Sequence, residues 1–287
     1  MFKHIFSSYS KFAFGNSKAG IGLFSAAAVA VSIPGNVVQS WSDSELKKKP
    51  SWYQETVHKL EHVVRKLSLY SYIEDPSLLD DASDILQRVE NVNNCEIFWR
   101  LGRVFVEQAN LLPNKAIEER KELLEKAIIR LNKALQLETS QGLAGAHKWY
   151  AIALIRLKQV DKDNKHLKNA DKEIIKHLET AVKLDSKDAF SYHFLGVQYF
   201  YVGNNEAALK NLKKAEDLKP GYSANQTYLG MALAMNNKKE EAIAIMKKAL
   251  QGNSKNRADR KAKVIARAFL QNKLGQTTKD LQFVEEY

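Results

Sequence analysis

A single cysteine, Cys95, has no partner for an internal disulfide, so the fold must rest on packing, and the chain fits a reducing compartment. Cys95 precedes the apolar run Ile97-Phe98-Trp99, the setting of a buried small side chain rather than an activated thiol. With only 5 prolines and 13 glycines among 287 residues, punctuation for strands and hairpins is sparse, which points to helices. No Ser-His-Asp order, phosphate-cradling glycine loop or CxxC pattern is present. Without an activated nucleophile or a paired acid and base there is no enzymatic case, and no cofactor is implied. His58 and His62 stand four apart on an expected helix. Two imidazoles lacking further ligands and a flanking Glu make a surface pair, not a metal site.

Acidic residues are missing altogether before Asp43. That segment carries Lys3, Lys11 and Lys18 and an apolar stretch from Ala19 to Ile33. Folded soluble helices seldom avoid acids for so long, so residues 1–43 read as a targeting or anchor segment. Three readings stay open: mitochondrial import or attachment, another membrane anchor, or an untargeted disordered tail. Ala19–Ile33 falls short of the roughly 20 apolar residues of a bilayer span. The first arginine is Arg65, whereas presequences are Arg-rich.

Downstream, 45% hydrophobic residues supply a sizeable core, and their spacing says how it is built. Tyr192, Leu195, Gly196, Tyr199, Gly203, Ala208, Leu212, Ala215 and Pro220 carry the marker types and spacings of a tetratricopeptide (TPR) helix pair. Moving 34 residues on repeats the pattern at Leu229, Gly230, Leu233, Ala242, Met246 and Ala249. An earlier pair opens at Trp149 with Leu178 and Ala181 on its second helix, lengthened by a polar turn around Asp161–Lys168. A still earlier one opens at Phe98-Trp99 with Leu101, Gly102 and Phe105, its extra residues placed around Leu111–Arg120. Trp52–Tyr70 and Leu78–Val89 read as further amphipathic helices, and Asp259–Leu274 as a closing one. Each pair has too little apolar surface to fold alone, so neighbours must stack. The expected fold is all-α: a TPR-like α-solenoid of antiparallel helix pairs. A helical cap is expected over 44–94, the repeat domain over 95–275 and a tail over 276–287.

The net charge of +11 suggests an acidic partner, or simply a solvated lysine-rich surface. The candidate basic patch is Lys162, Lys165, Lys168 and Lys172 on the long turn, with Arg257, Arg260, Lys261, Lys263 and Arg267 on the last helix. The aromatic-basic interleaving of an RNA-reading module is absent, which argues against nucleic acid.

The string His147-Lys148-Trp149-Tyr150-Ala151-Ile152 resembles a signature of the regulator of microtubule dynamics family. Phe98-Trp99-Arg100-Leu101, Ile174-Ile175-Lys176-His177-Leu178-Glu179 and Lys187-Asp188-Ala189 are similar to flanking family stretches, over about residues 95–275. The resemblance implies a TPR-like domain that associates with microtubules and acts in the spindle or in chromosome segregation; on that reading the basic clusters would attract the acidic tails of tubulin. It also implies an alternative, a mitochondria-attached adaptor anchored by an N-terminal segment. The short turn Val202-Gly203-Asn204-Asn205 departs from members with a long insertion there.

In such folds the inner helix of each pair lines a groove. The register puts Trp99, Arg103, Tyr150, Leu154, His193, Val197, Thr227 and Met231 on or near it, a face suited to a partner peptide or amphipathic helix. The other reading is that a neighbouring or terminal helix fills much of it. The Lys/Asn pair that grips a chaperone's terminal carboxylate is missing from these positions, which argues against a chaperone clamp.

Overall fold

The computed structural model describes residues 46–69, 72–254 and 256–282. The expected targeting segment over 1–43 lies outside them. Among the described residues there are twelve α-helices, two short 3-10 turns and no strand. Helices α1 (Ser51–Leu69) and α2 (Pro76–Arg88) precede four antiparallel pairs. These are α3 (Cys95–Leu111) with α4 (Ile117–Gln136), α5 (Ala144–Val160) with α6 (Ala170–Leu184), α7 (Ala189–Tyr201) with α8 (Asn205–Leu218), and α9 (Ser223–Met235) with α10 (Lys239–Gln251). Helix α11 (Arg257–Asn272) and the short α12 (Thr278–Gln282) close the array.

Local chemistry starts the helices. Asp75 accepts the backbone N–H groups of Ser77 and Leu78 ahead of Pro76, whose missing N–H is no loss at a helix start. Asn94, Asp188, Asn204 and Asn256 cap α3, α7, α8 and α11 in the same way. Inner and outer helices differ in pattern. Outer α8 buries one stripe, Ala208, Leu212 and Ala215. Inner α9 is buried on most sides, from Ser223 to Leu233, because helices pack on both flanks. One core runs from Val57 to Leu195 and a second from Val197 to Leu281. Leu281 on α12 is fully buried, so the stretch expected as a tail begins with a packed helix. The turn expected around Leu111–Arg120, with Pro113 and Asn114, is present over residues 112–116, and the rest of that stretch belongs to the ends of α3 and α4. The long turn after Val160 is present and holds a 3-10 turn at Lys165–Leu167.

The two ends of the array meet. The segment after α1 crosses the inside, where the Tyr72 ring meets Phe190 edge-on at 5.4 Å. Glu74 then accepts the backbone N–H of Arg257 at the start of α11. The Arg257 guanidinium donates to the Asn110 carbonyl at the end of α3, 3.1 Å away. Among the described residues no helix is long and apolar enough to cross a membrane.

Candidate functional site

Most of the expected groove residues are covered by neighbouring elements rather than open to a partner. Leu154 and Thr227 are wholly buried, and Arg103, Tyr150, His193 and Val197 nearly so. Trp99 and Met231 are half-buried. Stacking and the terminal helix account for this. Thr227 donates to the Ser223 carbonyl at 2.8 Å and lies 3.3 Å from that of Ala262, tying α9 to α11. Tyr150 packs on His177 of α6, with ring centroids 4.6 Å apart. His193 shares a hydrogen bond with Asn225 at 3.2 Å and meets the rings of Phe194, Tyr222 and Tyr228. Burial pulls its pKa down to about 4.

Arg103 shows how the terminal helix closes the inside. Its guanidinium donates to Glu107 at 3.1 and 3.3 Å, and to the backbone carbonyl of Leu67 near the end of α1. It also lies 4.9 Å from the Trp149 ring. Glu107 in turn accepts the Ile73 N–H at 3.2 Å. A buried ion pair thus satisfies two backbone groups of the α1 region that would otherwise lack partners. Burial raises the Glu107 carboxyl, with Arg103 opposing it.

Among the described residues a cleft of ≈ 680 Å³ opens between the end of α1, the Tyr72–Asp75 segment and the turns entering α7, α9 and α11. Tyr72, Phe190, Lys219, Tyr222, Asn256 and Asp259 are among its lining residues. None of the eight expected groove residues lines it. Nearby, Tyr201 and Tyr228 share a hydroxyl hydrogen bond at 2.8 Å, with Tyr201 66% exposed. Periodicity cannot find Tyr72 or Glu74, because both precede the repeats and reach them only through the path of the chain.

The lysines of the long turn are presented differently. Lys162, Lys165 and Lys168 are exposed between α5 and α6, and Lys172 is exposed in the first turn of α6. Buried Asn164 pins this loop by donating to Glu125 at 2.7 Å and Asp161 at 3.0 Å. Its side-chain oxygen accepts from the His166 N–H, and Lys121 pairs with Asp161 at 2.9 Å. Asn169 adopts φ 61 at the entry to α6. On α11, the Arg257 guanidinium turns to the end of α3, and that of Arg260 lies 3.7 Å from Glu74. Lys261 is exposed, while Lys263 and Arg267 are half-buried.

The signature-string histidine is structural. His147 lies 3.1 Å from Glu138 and 2.8 Å from His177, while Glu138 also accepts the Leu143 N–H that opens α5. Burial, helped by His147, lowers the His177 pKa to about 4. His58 and His62 are exposed on α1, with Glu61 3.7 Å from His58. Among the described residues no three His, Cys, Asp or Glu side chains gather as a metal site. Cys95 is half-buried, and burial and Glu96 push its thiol up, away from reactivity.

The chain matches the model of the family described as Regulator of microtubule dynamics protein 1-3 over residues 70–204 and 202–275. It is 29% identical over 214 residues to Regulator of microtubule dynamics protein 1 of Mus musculus, covering 67% of this chain and 68% of that one. The Homo sapiens protein of that name is 32% identical over 172 residues, covering 52% of this chain and 53% of the other. Among solved structures, a thermophilic TPR protein of Thermus thermophilus superposes with a TM-score of 0.52 at 19% identity. That match covers 74% of this chain and 98% of the other, and it supports the stacked-pair fold.

Proposed function

Since the chain belongs to the regulator of microtubule dynamics family, we propose that it is a TPR-like scaffold that docks on microtubules through the acidic tails of tubulin, with a role in the spindle or chromosome segregation. The observation that carries this reading is the pinned loop with Lys162, Lys165 and Lys168 exposed, continued by Lys172. A fixed cluster of like charges attracts acidic segments at long range and is screened by salt. Lys261, exposed on α11, and half-buried Lys263 add further positive charge to the chain's surface. The test is co-sedimentation of the full chain with microtubules, before and after proteolytic removal of the tubulin tails. Pelleting at low salt that is lost on tail removal and at high salt supports the reading. Pelleting indifferent to both sinks it.

A second reading is an adaptor attached to mitochondria that holds a partner peptide. The ≈ 680 Å³ cleft on the inside favours it, since Tyr72, Phe190 and Tyr222 offer aromatic faces to an extended segment. Imaging the C-terminally tagged chain with and without residues 1–42 separates the two. Mitochondrial signal lost on truncation supports the adaptor.

A further inference from the structure

We propose that the Tyr72–Asp75 segment is a built-in occupant of the inner face, and that a partner protein segment offering an aromatic, an aliphatic and an acidic residue in that order takes its place. The segment lies between α1 and α2 and belongs to neither helix. Asp75, at its end, has extended backbone. Successive side chains of an extended chain point to opposite sides. Burial follows that alternation, for Ile73 is buried while Tyr72 is half-buried and Glu74 exposed.

Each of these three residues is received by a different part of the array. The Tyr72 ring meets Phe190, at the start of α7, edge-on at 5.4 Å, and packs against the cluster of Tyr222, Ala224 and Ala262. Ile73 donates its backbone N–H to Glu107 of α3 at 3.2 Å, and its side chain joins the larger core. The Glu74 carboxylate accepts the Arg257 N–H at the start of α11, where the helix dipole favours an anion, and lies 3.7 Å from the Arg260 guanidinium. A short run of extended chain therefore bridges α3, α7 and α11, which are distant in sequence. That is how a bound peptide is held: main-chain hydrogen bonds supply affinity and side-chain seats supply specificity.

The hold is uneven. Ile73 is the buried anchor, whereas the Glu74–Arg260 pair is open to water, where an ion pair contributes little. The ≈ 680 Å³ cleft runs beside the segment, and Tyr72, Ile73, Glu74, Phe190 and Tyr222 are among its lining residues. An incoming chain can thus reach the aromatic seat from the cleft before the built-in segment leaves it. The order of the seats sets the chemistry of that chain: a ring for Phe190 and Tyr222, an aliphatic side chain for the core, and a carboxylate for the start of α11.

The inference rests on the reading of this chain as a holder of a partner peptide. The probe is a fluorescein-labelled peptide with the sequence of residues 70–77, with a scrambled control, added to the full chain. A tethered segment competes at an effective concentration on the order of millimolar, so wild type should bind the free peptide weakly. Tyr72→Ser/Glu74→Ala in the protein weakens the built-in segment and is expected to tighten peptide binding by about tenfold or more in fluorescence anisotropy. Glu74→Ala alone, at an exposed position that leaves the core intact, is expected to shift affinity the same way by a smaller factor. Phe190→Leu, added to the double variant, is expected to undo most of the gain. At saturating peptide the Ile73 amide is expected to lose its protection from hydrogen exchange, because Glu107 has passed to the peptide. Equal affinity of wild type and both variants overturns the inference, as does equal binding of the scrambled peptide. A gain that survives Phe190→Leu places the peptide elsewhere and also overturns it. Peptide binding that leaves Ile73 protected keeps a peptide-holding cleft but ends the exchange of occupants. A wild-type dimer in light scattering that the double variant dissolves makes the same segment of a second copy the occupant, and likewise overturns the proposal.

Discussion

The Leu212 side chain occupies the space beside Gly196: a Cβ built on that glycine would stand 2.6 Å from Leu212 Cγ and 3.0 Å from the Leu212 backbone nitrogen. Gly102 with Leu131 and Gly230 with Met246 repeat the relationship, each with a nearest approach of 2.5 Å. In these three pairs the helices therefore meet at glycine, and one added methyl is an overpacking error. Gly196→Ala is expected to cost about 1–3 kcal/mol despite the better helix propensity of Ala. Gly230→Ala should cost less, because Met246 is unbranched and can repack. Urea unfolding of both variants checks the order. A Gly230→Ala loss larger than that of Gly196→Ala would contradict the adaptability of the facing side chain as the deciding feature, since both glycines also face backbone, at 3.0 Å for Gly196 and 3.2 Å for Gly230.

Those pairs show why the repeats are legible in the sequence. Gly196, Ala208 and Leu212 meet through local helix geometry, and the same types recur at Gly230, Ala242 and Met246, so spacing alone carries the information. The candidate groove is legible only in part. Register says which face of a helix turns inward but not what covers that face. It places Arg103 on the inside, yet the Leu67 partner lies 36 residues away on a helix outside the repeat period.

The Arg103–Glu107 pair should be a keystone for α1. Removing one partner leaves the other charge buried and alone, which costs about 3–5 kcal/mol. Arg103→Ala also deprives the Leu67 carbonyl of its donor. Hydrogen exchange should show faster exchange over Leu60–Leu69 and the Tyr72–Asp75 segment, with α9–α11 little changed. Uniform loss of protection across the chain would mean that α1 is not a separable cap.

Stability should fall on acidification through two histidines. His177 and His193 both have folded-state pKa values of about 4, below the ordinary 6.5, because burial disfavours the imidazolium. Between those values the unfolded chain binds more protons, so stability rises with pH. The contribution is complete above about pH 6.5 and is lost as pH falls toward 4. Melting temperature should drop over that window, and His177→Gln should flatten part of the slope. A profile as steep in His177→Gln as in wild type would remove this histidine from the account.

The loop after α5 separates charge from order. Changing Lys162, Lys165, Lys168 and Lys172 to Gln removes attraction felt before contact, so association with microtubules should slow by roughly tenfold at low salt while dissociation changes little. Asn164→Ala leaves every lysine in place but removes the amide that bonds Glu125 and Asp161. It should cost about 1 kcal/mol in stability. Association, driven by total charge, should survive. Dissociation should quicken, because the loosened loop must be reordered in each bound state. Stopped-flow rates on both variants distinguish the two effects. Equal slowing of association in Asn164→Ala would show that the loop's shape, not its charge, governs encounter.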